Sequence, residues 1–397
     1  MKNEGYKQTE IGLIPENWEV SFLGNLCVPS KKRVFASSLN DDTPCIELEH
    51  ISVGTGRILG STPAKSVISQ KAIFEPGDVL FGKLRPYLRK FLLPKDNGIC
   101  STEIWVLKKG KTITSHYLYY TVQSERVISS AMISIGTKMP RAEWTVVSKT
   151  QIPLPPLSEQ AAIAEALTDM DALIAHTEQL IEKKKAIKKG VMQELLRPKE
   201  GWVKVKVGNT IKVSRGGSPR PIQDYLTNDP NGINWIKIGD TRPKSRFIDS
   251  TNEKIVAEGI RNSRVVFEGD LLLSNSMSFG RPYILRIGGC IHDGWLVLQD
   301  YQTDFNREFL YYSLTSTFVL NQYLNMAAGS SVLNLNKEIV KNVILYKPSS
   351  IKEQEDIANS LSALDEQTEL LETKLQKLKL QKLGMMQALL TGKIRLV

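Results

Sequence analysis

The segment SEQAAIAEALTDMDALIAHTEQLIEKKKAIKKGVMQELLR (158–197) recurs farther along the chain as KEQEDIANSLSALDEQTELLETKLQKLKLQKLGMMQALLT (352–391). The two segments align without gaps at a constant offset of 194 residues, so that Glu159 matches Glu353. Identities run along the whole alignment and include Gln160/Gln354, Asp171/Asp365, Lys188/Lys382, Gly190/Gly384 and Gln193/Gln387. Self-similarity at a long, fixed period is the mark of a repeated structural unit. The chain therefore contains two copies of one structural unit.

Both repeated segments are predicted to be long helices. No proline occurs from Leu157 to Arg197 or from Ser349 to the end, and Ser158 is a suitable N-cap. Apolar residues step by four and three, the 3.5-residue period of a coiled coil. The predicted seam consists of Ile163, Leu167, Met170 and Ile174 in the first copy, and of Ile357, Leu361, Leu364, Leu371, Leu375 and Leu378 in the second.

Two such helices, each rising roughly 60 Å for about 40 residues, would pair along their seams into a rigid spacer. The alternative is a pair of amphipathic helices buried inside one bundle. The lysine run at 183–185, with Lys188 and Lys189, is interpreted as a solvated face.

A weaker sequence repeat precedes each predicted long helix. Trp18-x5-Gly24-Asn25 returns as Trp202-x5-Gly208-Asn209, and Gly77-Asp78 returns as Gly269-Asp270. Arg85-Pro86-Tyr87 resembles Arg281-Pro282-Tyr283. The spacing between these repeated motifs differs between the two copies, which indicates that the two regions share a fold but differ in their loops.

Short β-rich runs broken by Gly, Pro, Asn and Asp fill the regions before the helices, so the fold class is α+β. The predicted order is a globular domain at 1–152, a central helical spacer at 153–200, a second globular domain at 201–348 and a distal helical spacer at 349–397. The whole is a pseudo-two-fold internal repeat of two globular domains separated by two coiled-coil helices.

Composition narrows the function. The net charge is +10, which favours a polyanionic partner, nucleic acid before an anionic membrane surface. No apolar run approaches the roughly 18 residues that cross a bilayer, and the N-terminus does not resemble a signal peptide. Four scattered cysteines without a C-x-x-C pair predict free thiols and no metal site. We therefore expect a cytoplasmic protein.

Basic, aromatic and small polar residues gather in the loops of both globular regions. Arginine can read guanine edges, lysine neutralises phosphates, and glycine loops let backbone N–H groups approach phosphate oxygens. The candidate DNA-binding residues are Lys31, Arg33, Lys83, Arg85, Tyr87, Lys138 and Arg141 in the first region, and Arg215, Arg220, Arg242, Arg281, Tyr283, Ser330 and Ser331 in the second. Which of them contact bases and which contact phosphates stays open.

No catalytic motif is found. Gly77 to Lys83 matches the start of a P-loop, but Leu84 stands where the Mg²⁺-binding hydroxyl is needed. The motif that grips adenine in methyltransferases, the clustered carboxylates of nucleases and the G-x-S-x-G elbow are all missing. No catalytic residue is assigned.

This pattern resembles the specificity subunits of type I restriction–modification enzymes. The resemblance is carried by Ile11-Gly12-Leu13-Ile14-Pro15-Glu16-Asn17-Trp18, by Ile152-Pro153-Leu154-Pro155-Pro156-Leu157-Ser158-Glu159-Gln160, and by the paired heptad helices. It covers essentially the whole chain. The second copy departs from it modestly, with Tyr346-Lys347-Pro348-Ser349-Ser350-Ile351 before the distal helix.

The resemblance implies that each globular domain is a target recognition domain for one half of a bipartite, asymmetric site on double-stranded DNA. The two helices would form an antiparallel coiled-coil spacer that sets the gap between the half-sites. They would also dock two modification (methyltransferase) subunits, through which restriction subunits can join. It implies no cofactor in this chain: S-adenosylmethionine would belong to the methyltransferase, for adenine methylation, and ATP and Mg to the restriction subunit. The alternatives are a self-contained enzyme and a free-standing DNA-binding or coiled-coil scaffold protein.

Overall fold

The computed structural model describes residues 5–40, 42–133, 140–242, 245–275, 278–327 and 334–396. The chain divides into two compact units. The first unit is Met1–Gln179 with Glu372–Val397, and the second unit is Leu180–Leu371. Each unit therefore combines a strand-rich body with one stretch of each long helix.

The first unit contains thirteen strands among its described residues and four short helices before the first long one. The strands are β1 (Tyr6–Thr9), β2 (Gly12–Pro15), β3 (Glu19–Phe22), β4 (Cys27–Pro29), β5 (Arg33–Phe35), β6 (Pro44–Ile46), β7 (Thr62–Pro63), β8 (Gln70–Phe74), β9 (Val79–Gly82), β10 (Phe91–Leu92), β11 (Gly98–Cys100), β12 (Ile104–Lys109) and β13 (Gln151–Leu154). The helices are α1 (Leu23–Leu26), α2 (Ser115–Thr121), α3 (Glu125–Ala131), α4 (Trp144–Val147) and the long α5 (Leu157–Leu195).

The second unit follows the same order. Its strands are β14 (Val203–Lys206), β15 (Lys212–Arg215), β16 (Leu226–Thr227), β17 (Ile233–Ile236), β18 (Phe247–Ile248), β19 (Glu253–Ile255), β20 (Arg264–Val266), β21 (Leu271–Ser274), β22 (Pro282–Leu285), β23 (Gly289–Ile291), β24 (Trp295–Gln299) and β25 (Ile344–Lys347). Its helices are α6 (Val207–Thr210), α7 (Arg307–Thr315), α8 (Thr317–Ala327), α9 (Lys337–Asn342) and the long α10 (Ile351–Leu389).

Sheet topology repeats between the bodies. The order β10-β9-β12-β4 in the first becomes β18-β22-β21-β24-β15 in the second, where β18 adds in parallel to β22. The other large sheets are β5-β8-β11-β6-β7 and β16-β19-β17-β23-β20, each with one parallel pair. A two-stranded ladder precedes each long helix, β3 with β13 and β14 with β25. The predicted α+β fold with an internal repeat is confirmed.

Two of the repeated motifs are structurally equivalent. A Cβ on Gly24 would lie 2.9 Å from the Ser148 Cβ, and one on Gly208 would lie 2.9 Å from the Lys341 Cβ. Gly77 and Gly269 both adopt positive φ, 92° and 93°, which favours glycine over other residues. Glycine is therefore required at these positions for close backbone approach and for a left-handed turn.

The structure corrects the predicted start of the first long helix. Helix α5 starts at Leu157, and the amide of Gln160 donates to the carbonyl of Pro156. Ser158 therefore lies inside the first turn, and its prediction as the N-cap is wrong. In the second copy the hydroxyl of Ser350 accepts from the amide of Glu353 at 3.4 Å, so a serine does cap there.

The helices run antiparallel within each unit. In the first unit Asp171 pairs with Lys382 and Glu178 with Lys379, so partners on α10 move backward as α5 moves forward. In the second unit Lys184 donates to Gln367 and Lys188 pairs with Asp365. The predicted antiparallel pair of long helices is confirmed.

Parts of the predicted seam enter the cores of the bodies. Ile163 and Leu167 belong to the large first-unit core, with Trp18 and Tyr117. Ile357 and Leu361 enter the second-unit core beside Phe309, and Ile174, Leu375 and Leu378 are also buried. Met170, Leu364 and Leu371 are half-buried. Burial against the bodies therefore anchors one end of each helix, since apolar area is removed from water there.

The four cysteines are buried and unpaired, as the sequence predicts. Among the described residues, no helix combines the length and apolar character needed to span a membrane.

Candidate nucleic-acid interface

A polar network joins the first body to both helices. The hydroxyl of Tyr120, on α2, donates to Asp171 Oδ2 on α5 at 2.9 Å. The other carboxylate oxygen of Asp171 lies 2.7 Å from the Lys382 Nζ of α10. Thr168 Oγ1 lies 3.1 Å from the tyrosine hydroxyl, and the lysine nitrogen lies 5.6 Å from the centre of the tyrosine ring. Tyr120, Thr168, Asp171 and Lys382 form the first junction network.

The second body carries the same arrangement, which we call the second junction network. Tyr312, on α7, donates to Asp365 Oδ2 at 2.7 Å, and Asp365 Oδ1 pairs with Lys188. Ser362 takes the place of Thr168, 3.2 Å from the tyrosine hydroxyl. The Lys188 nitrogen lies 5.4 Å from the tyrosine ring centre.

One difference separates the two networks. Arg246 reaches the second network and donates to the Tyr312 hydroxyl at 2.7 Å, with Glu308 3.6 Å from the guanidinium. Burial raises the pKa of Tyr120 and Tyr312 above the ordinary range, so both phenols stay protonated and donate.

A second repeated contact anchors each helix start. The side chain of Gln160 is fully buried, accepts from the Thr114 amide at 2.9 Å and donates to the carbonyls of Thr112 and Pro155. Gln354 repeats this with the Asn306 amide and the carbonyls of Asp304 and Pro348. Thr112 and Thr114 precede α2, and Asp304 and Asn306 precede α7, so each glutamine ties a long helix to the body.

The third repeated contact is unequal between the copies. Glu159 is buried, accepts from the Trp18 indole at 2.8 Å and receives two hydrogen bonds from Arg395. The matching Glu353 accepts from Trp202 at 3.3 Å near the surface.

The predicted DNA-binding residues of the first body lie mostly at its surface. Arg85 and Tyr87 occupy a tight turn in which Arg85 and Arg89 have positive φ, 53° and 49°. Tyr87 is 49% exposed. Arg141 is exposed and pairs with Glu103 at 3.1 Å, and its strand bridge to Leu84 supports the same turn. These three predicted residues are brought together.

The remaining first-body candidates are separate from that turn. Lys31 and Arg33 are both exposed. Lys31 precedes the edge strand β5, and Arg33 is the first residue of that strand. The Arg33 guanidinium donates to nearby backbone carbonyls. Lys83 is half-buried just after β9. Since Val79–Gly82 is a strand, the P-loop-like run does not form a phosphate loop. Lys138 lies outside the described residues.

In the second body, Arg215, Arg220 and Arg242 are exposed. The guanidinium of Arg215 donates to the Asp293 carbonyl at 3.1 Å, and Arg220 lies 3.7 Å from the Asp293 carboxylate. Arg242 lies apart, 3.7 Å from Asp249. Ser330 and Ser331 lie outside the described residues.

The prediction of Tyr283 as a DNA-binding residue is wrong. Tyr283 lies in β22, is 2% exposed and packs edge-on against Trp295. Arg281 is half-buried, and its guanidinium lies 5.0 Å from the Tyr283 ring centre and donates to the Ser245 carbonyl. It is therefore a weaker candidate than the exposed arginines.

Tyr283 was wrongly predicted because the two Arg-Pro-Tyr motifs do not occupy equivalent positions in the two bodies. Leu80 pairs with Leu92 in the first body, while the equivalent Leu272 pairs with Tyr283 in the second. Tyr283 thus corresponds to Leu92, an inward-facing strand position, and Tyr87 corresponds to none of the Arg281-Pro282-Tyr283 run.

Sequence reasoning missed the junction networks. It treated Lys188 as part of a solvated face, yet the Lys188 side chain is 26% exposed and bonds to Asp365. The available signal was the repeat itself, because the aspartate and the lysine of each network are identical in both copies, as Asp171/Asp365 and Lys188/Lys382.

No group of three or more metal-ligating side chains lies together in the part of the chain that the structure describes. The arrangement presents basic and aromatic groups on two bodies and fastens each body to a helix pair.

Comparison with known proteins identifies the family. Over 433 aligned residues, 24% are identical to the type I restriction enzyme MjaVIII specificity subunit of Methanocaldococcus jannaschii, covering 99% of this chain and 97% of that protein. A solved chain from a study of complex assembly and conformational transition of the type I R-M system superposes with a TM-score of 0.63 at 21% identity, covering 96% of this chain and 99% of that one. The type I restriction–modification S subunit of M. genitalium gives 0.57 at 14% identity, with 94% and 96% covered.

The family model described as type I restriction modification DNA specificity domain matches twice, at residues 15–185 and 199–380. The two matches coincide with the two copies of the repeat, and together they span most of the chain. The chain therefore belongs to the family of type I restriction–modification DNA specificity subunits, and it carries the family's domain in duplicate.

Proposed function

We propose that each unit reads one half of a bipartite, asymmetric DNA site, and that this chain supplies the sequence specificity of a type I restriction–modification complex. The observation that carries the proposal is the double match to one DNA specificity domain. Each copy holds its own body, with exposed arginines, against its own stretch of both long helices. Two bodies of the same fold, each with its own exposed arginines, are suited to recognising two half-sites.

The half-sites would differ because the reading surfaces differ. The first body presents Arg85 and Tyr87 on a left-handed turn. The second body instead presents Arg215 and Arg220, and its Tyr283 is buried in a strand. Direct readout depends on which donors and acceptors reach base edges, so equal targets for these two surfaces are not expected.

The partners would be two methyltransferase subunits docked on the long helices, joined by restriction subunits. Exposed apolar side chains on the helices support docking there, including Leu173 and Leu383 in the first unit and Ile187 and Leu370 in the second. In this proposal the present chain catalyses no step. S-adenosylmethionine would bind to the methyltransferase, which methylates adenine, and ATP and Mg to the restriction subunit.

The test is co-expression of the chain with the methyltransferase subunit encoded beside it, in a host without other adenine methylation. Long-read sequencing then maps methyl-adenine. We expect a split motif with a fixed gap, present only when this chain is present. Methylation that is unchanged without the chain would overturn the proposal, as would specific DNA binding by the chain alone with no methyltransferase complex. The latter result would favour a free-standing DNA-binding protein.

A further inference from the structure

We propose that the two junction networks are positioning elements that fix the orientation of each body on its helix pair, and so determine which gap length between half-sites is accepted. This inference rests on the proposed function. Each network joins three elements, since its tyrosine comes from the body, its aspartate from one long helix and its lysine from the other.

The chemistry makes the aspartate the centre of each network. In both copies Oδ2 accepts from the tyrosine and Oδ1 faces the lysine. A carboxylate with both oxygens engaged holds its two partners in fixed directions, because charge-assisted hydrogen bonds are short and directional. The body can therefore rotate about the helix pair only by breaking this connection.

Burial strengthens the connection. Tyr120 is 2% exposed and Tyr312 is fully buried, while the side chains of Lys382 and Lys188 are 11% and 26% exposed. Shielding from water raises the strength of a hydrogen bond and the cost of leaving one unmade. Glu178, also on α5, adds a further connection in the first unit, because it pairs with Lys379 of α10 and contacts Arg57 of the body. Glu178 and Lys379 recur in the repeat as Glu372 and Lys185.

The DNA geometry explains why orientation matters. One base pair added to the gap moves the half-sites apart by about 3.4 Å and turns one around the helix axis by roughly 34°. A body that could swivel on its helices would follow part of that rotation. A body locked through the tyrosine would not, and the unfavourable gap would be rejected.

The cleanest variant removes only the tyrosine hydroxyls. Tyr120→Phe with Tyr312→Phe keeps both rings in the core and leaves the Asp–Lys pairs between the helices intact. The matched control is Tyr323→Phe, since the buried hydroxyl of Tyr323 has no hydrogen-bond partner among the described residues. It therefore removes the same atom as Tyr312→Phe, also from the second body, without touching a network.

The readout is methylation, by the co-expressed complex, of a plasmid library in which the gap between the mapped half-sites varies by single base pairs. For the unaltered chain we expect one strongly preferred gap. For the double variant, the preference over gaps one base pair longer or shorter should fall by roughly three- to tenfold, while Tyr323→Phe keeps it.

An unchanged gap preference in the double variant would overturn the inference, even if its melting temperature falls, because a purely stabilising role lowers methylation at every gap alike. If the double variant loses its native fold, the two single variants make the same comparison. Failure of the unaltered chain to direct methylation to any split motif would instead remove the proposed function, and this inference with it.

Discussion

The Asp171 carboxylate lies 2.7 Å from the Lys382 ammonium, and these two residues belong to different copies of the repeat. The matching residues in the other copy, Asp365 and Lys188, pair in the same way. Each long helix therefore contributes one aspartate and one lysine. The aspartate of α5 accepts a hydrogen bond from a tyrosine of the first body, and the aspartate of α10 accepts one from a tyrosine of the second body. In an antiparallel pair of helices that carry the same repeated sequence, the aspartate of each copy faces the lysine of the other copy. The same contact therefore forms twice.

The Asp171–Lys382 pair should show thermodynamic coupling. We expect a double-mutant cycle with Asp171→Asn and Lys382→Met to give about 1–2 kcal/mol, because both side chains are largely shielded and share a third partner. Chemical unfolding of the four proteins measures it. The control pair is Lys352 and Asp356, exposed on α10, for which no measurable coupling is expected. Equal coupling in both pairs would contradict the role given to burial.

Replacing either buried glutamine should destabilise its own unit. Gln354→Leu leaves the Asn306 amide and two carbonyls without their partner. An unmade buried hydrogen bond is costly, so we expect a loss of roughly 2–4 kcal/mol. Differential scanning calorimetry should show the transition of the second unit moving to lower temperature. Gln193→Leu, at an exposed position of α5, serves as the control and should leave both transitions in place.

The C-terminal arginine should stabilise the first unit. Arg395→Ala leaves the buried Glu159 carboxylate with the Trp18 indole as its remaining described donor. A lower melting temperature is expected for the first unit, with the second unit unaffected. Lys393→Ala, an exposed neighbour, is the control. If both substitutions have the same small effect, the Arg395 contact does not contribute to stability.

Stability of the second unit should fall in mild acid because of His292. Its ring nitrogens lie 3.1 Å from the Ile238 amide and 2.7 Å from the Gly294 amide, so a proton on the ring removes an acceptor. Burial lowers the pKa of His292 below its ordinary value of 6.5. The unfolded chain therefore binds the proton first, and the contribution is complete above about pH 6.5.

As the pH falls from 6.5 toward the lower pKa of the folded state, stability should decrease by up to about 1.4 kcal/mol per pH unit. Melting temperatures between pH 7.5 and 5 measure the slope. His292→Gln should flatten this part of the curve, whereas His176→Gln, exposed on α5, should not. A slope unchanged in His292→Gln would assign the acid sensitivity to other groups.

The features that sequence reasoning predicted well were those set by local rules. Proline placement and the 3.5-residue period located both long helices. Features that depend on long-range pairing were missed. Nothing near Lys188 in the sequence distinguishes it from solvated lysines, because its partner lies on another helix. Tyr283 was misplaced because its burial follows from its strand register opposite Leu272.

The central claim is that each unit reads its own half-site, and a chimera tests it most directly. Residues 27–147 would be replaced by residues 211–340, with boundaries just after the equivalent Gly24 and Gly208 turns and just before their contacts, Ser148 and Lys341. Methyl-adenine mapping of the co-expressed complex is the measurement. We predict a site whose two halves carry the same sequence, that of the second unit. A motif that keeps its original two different halves would contradict the account.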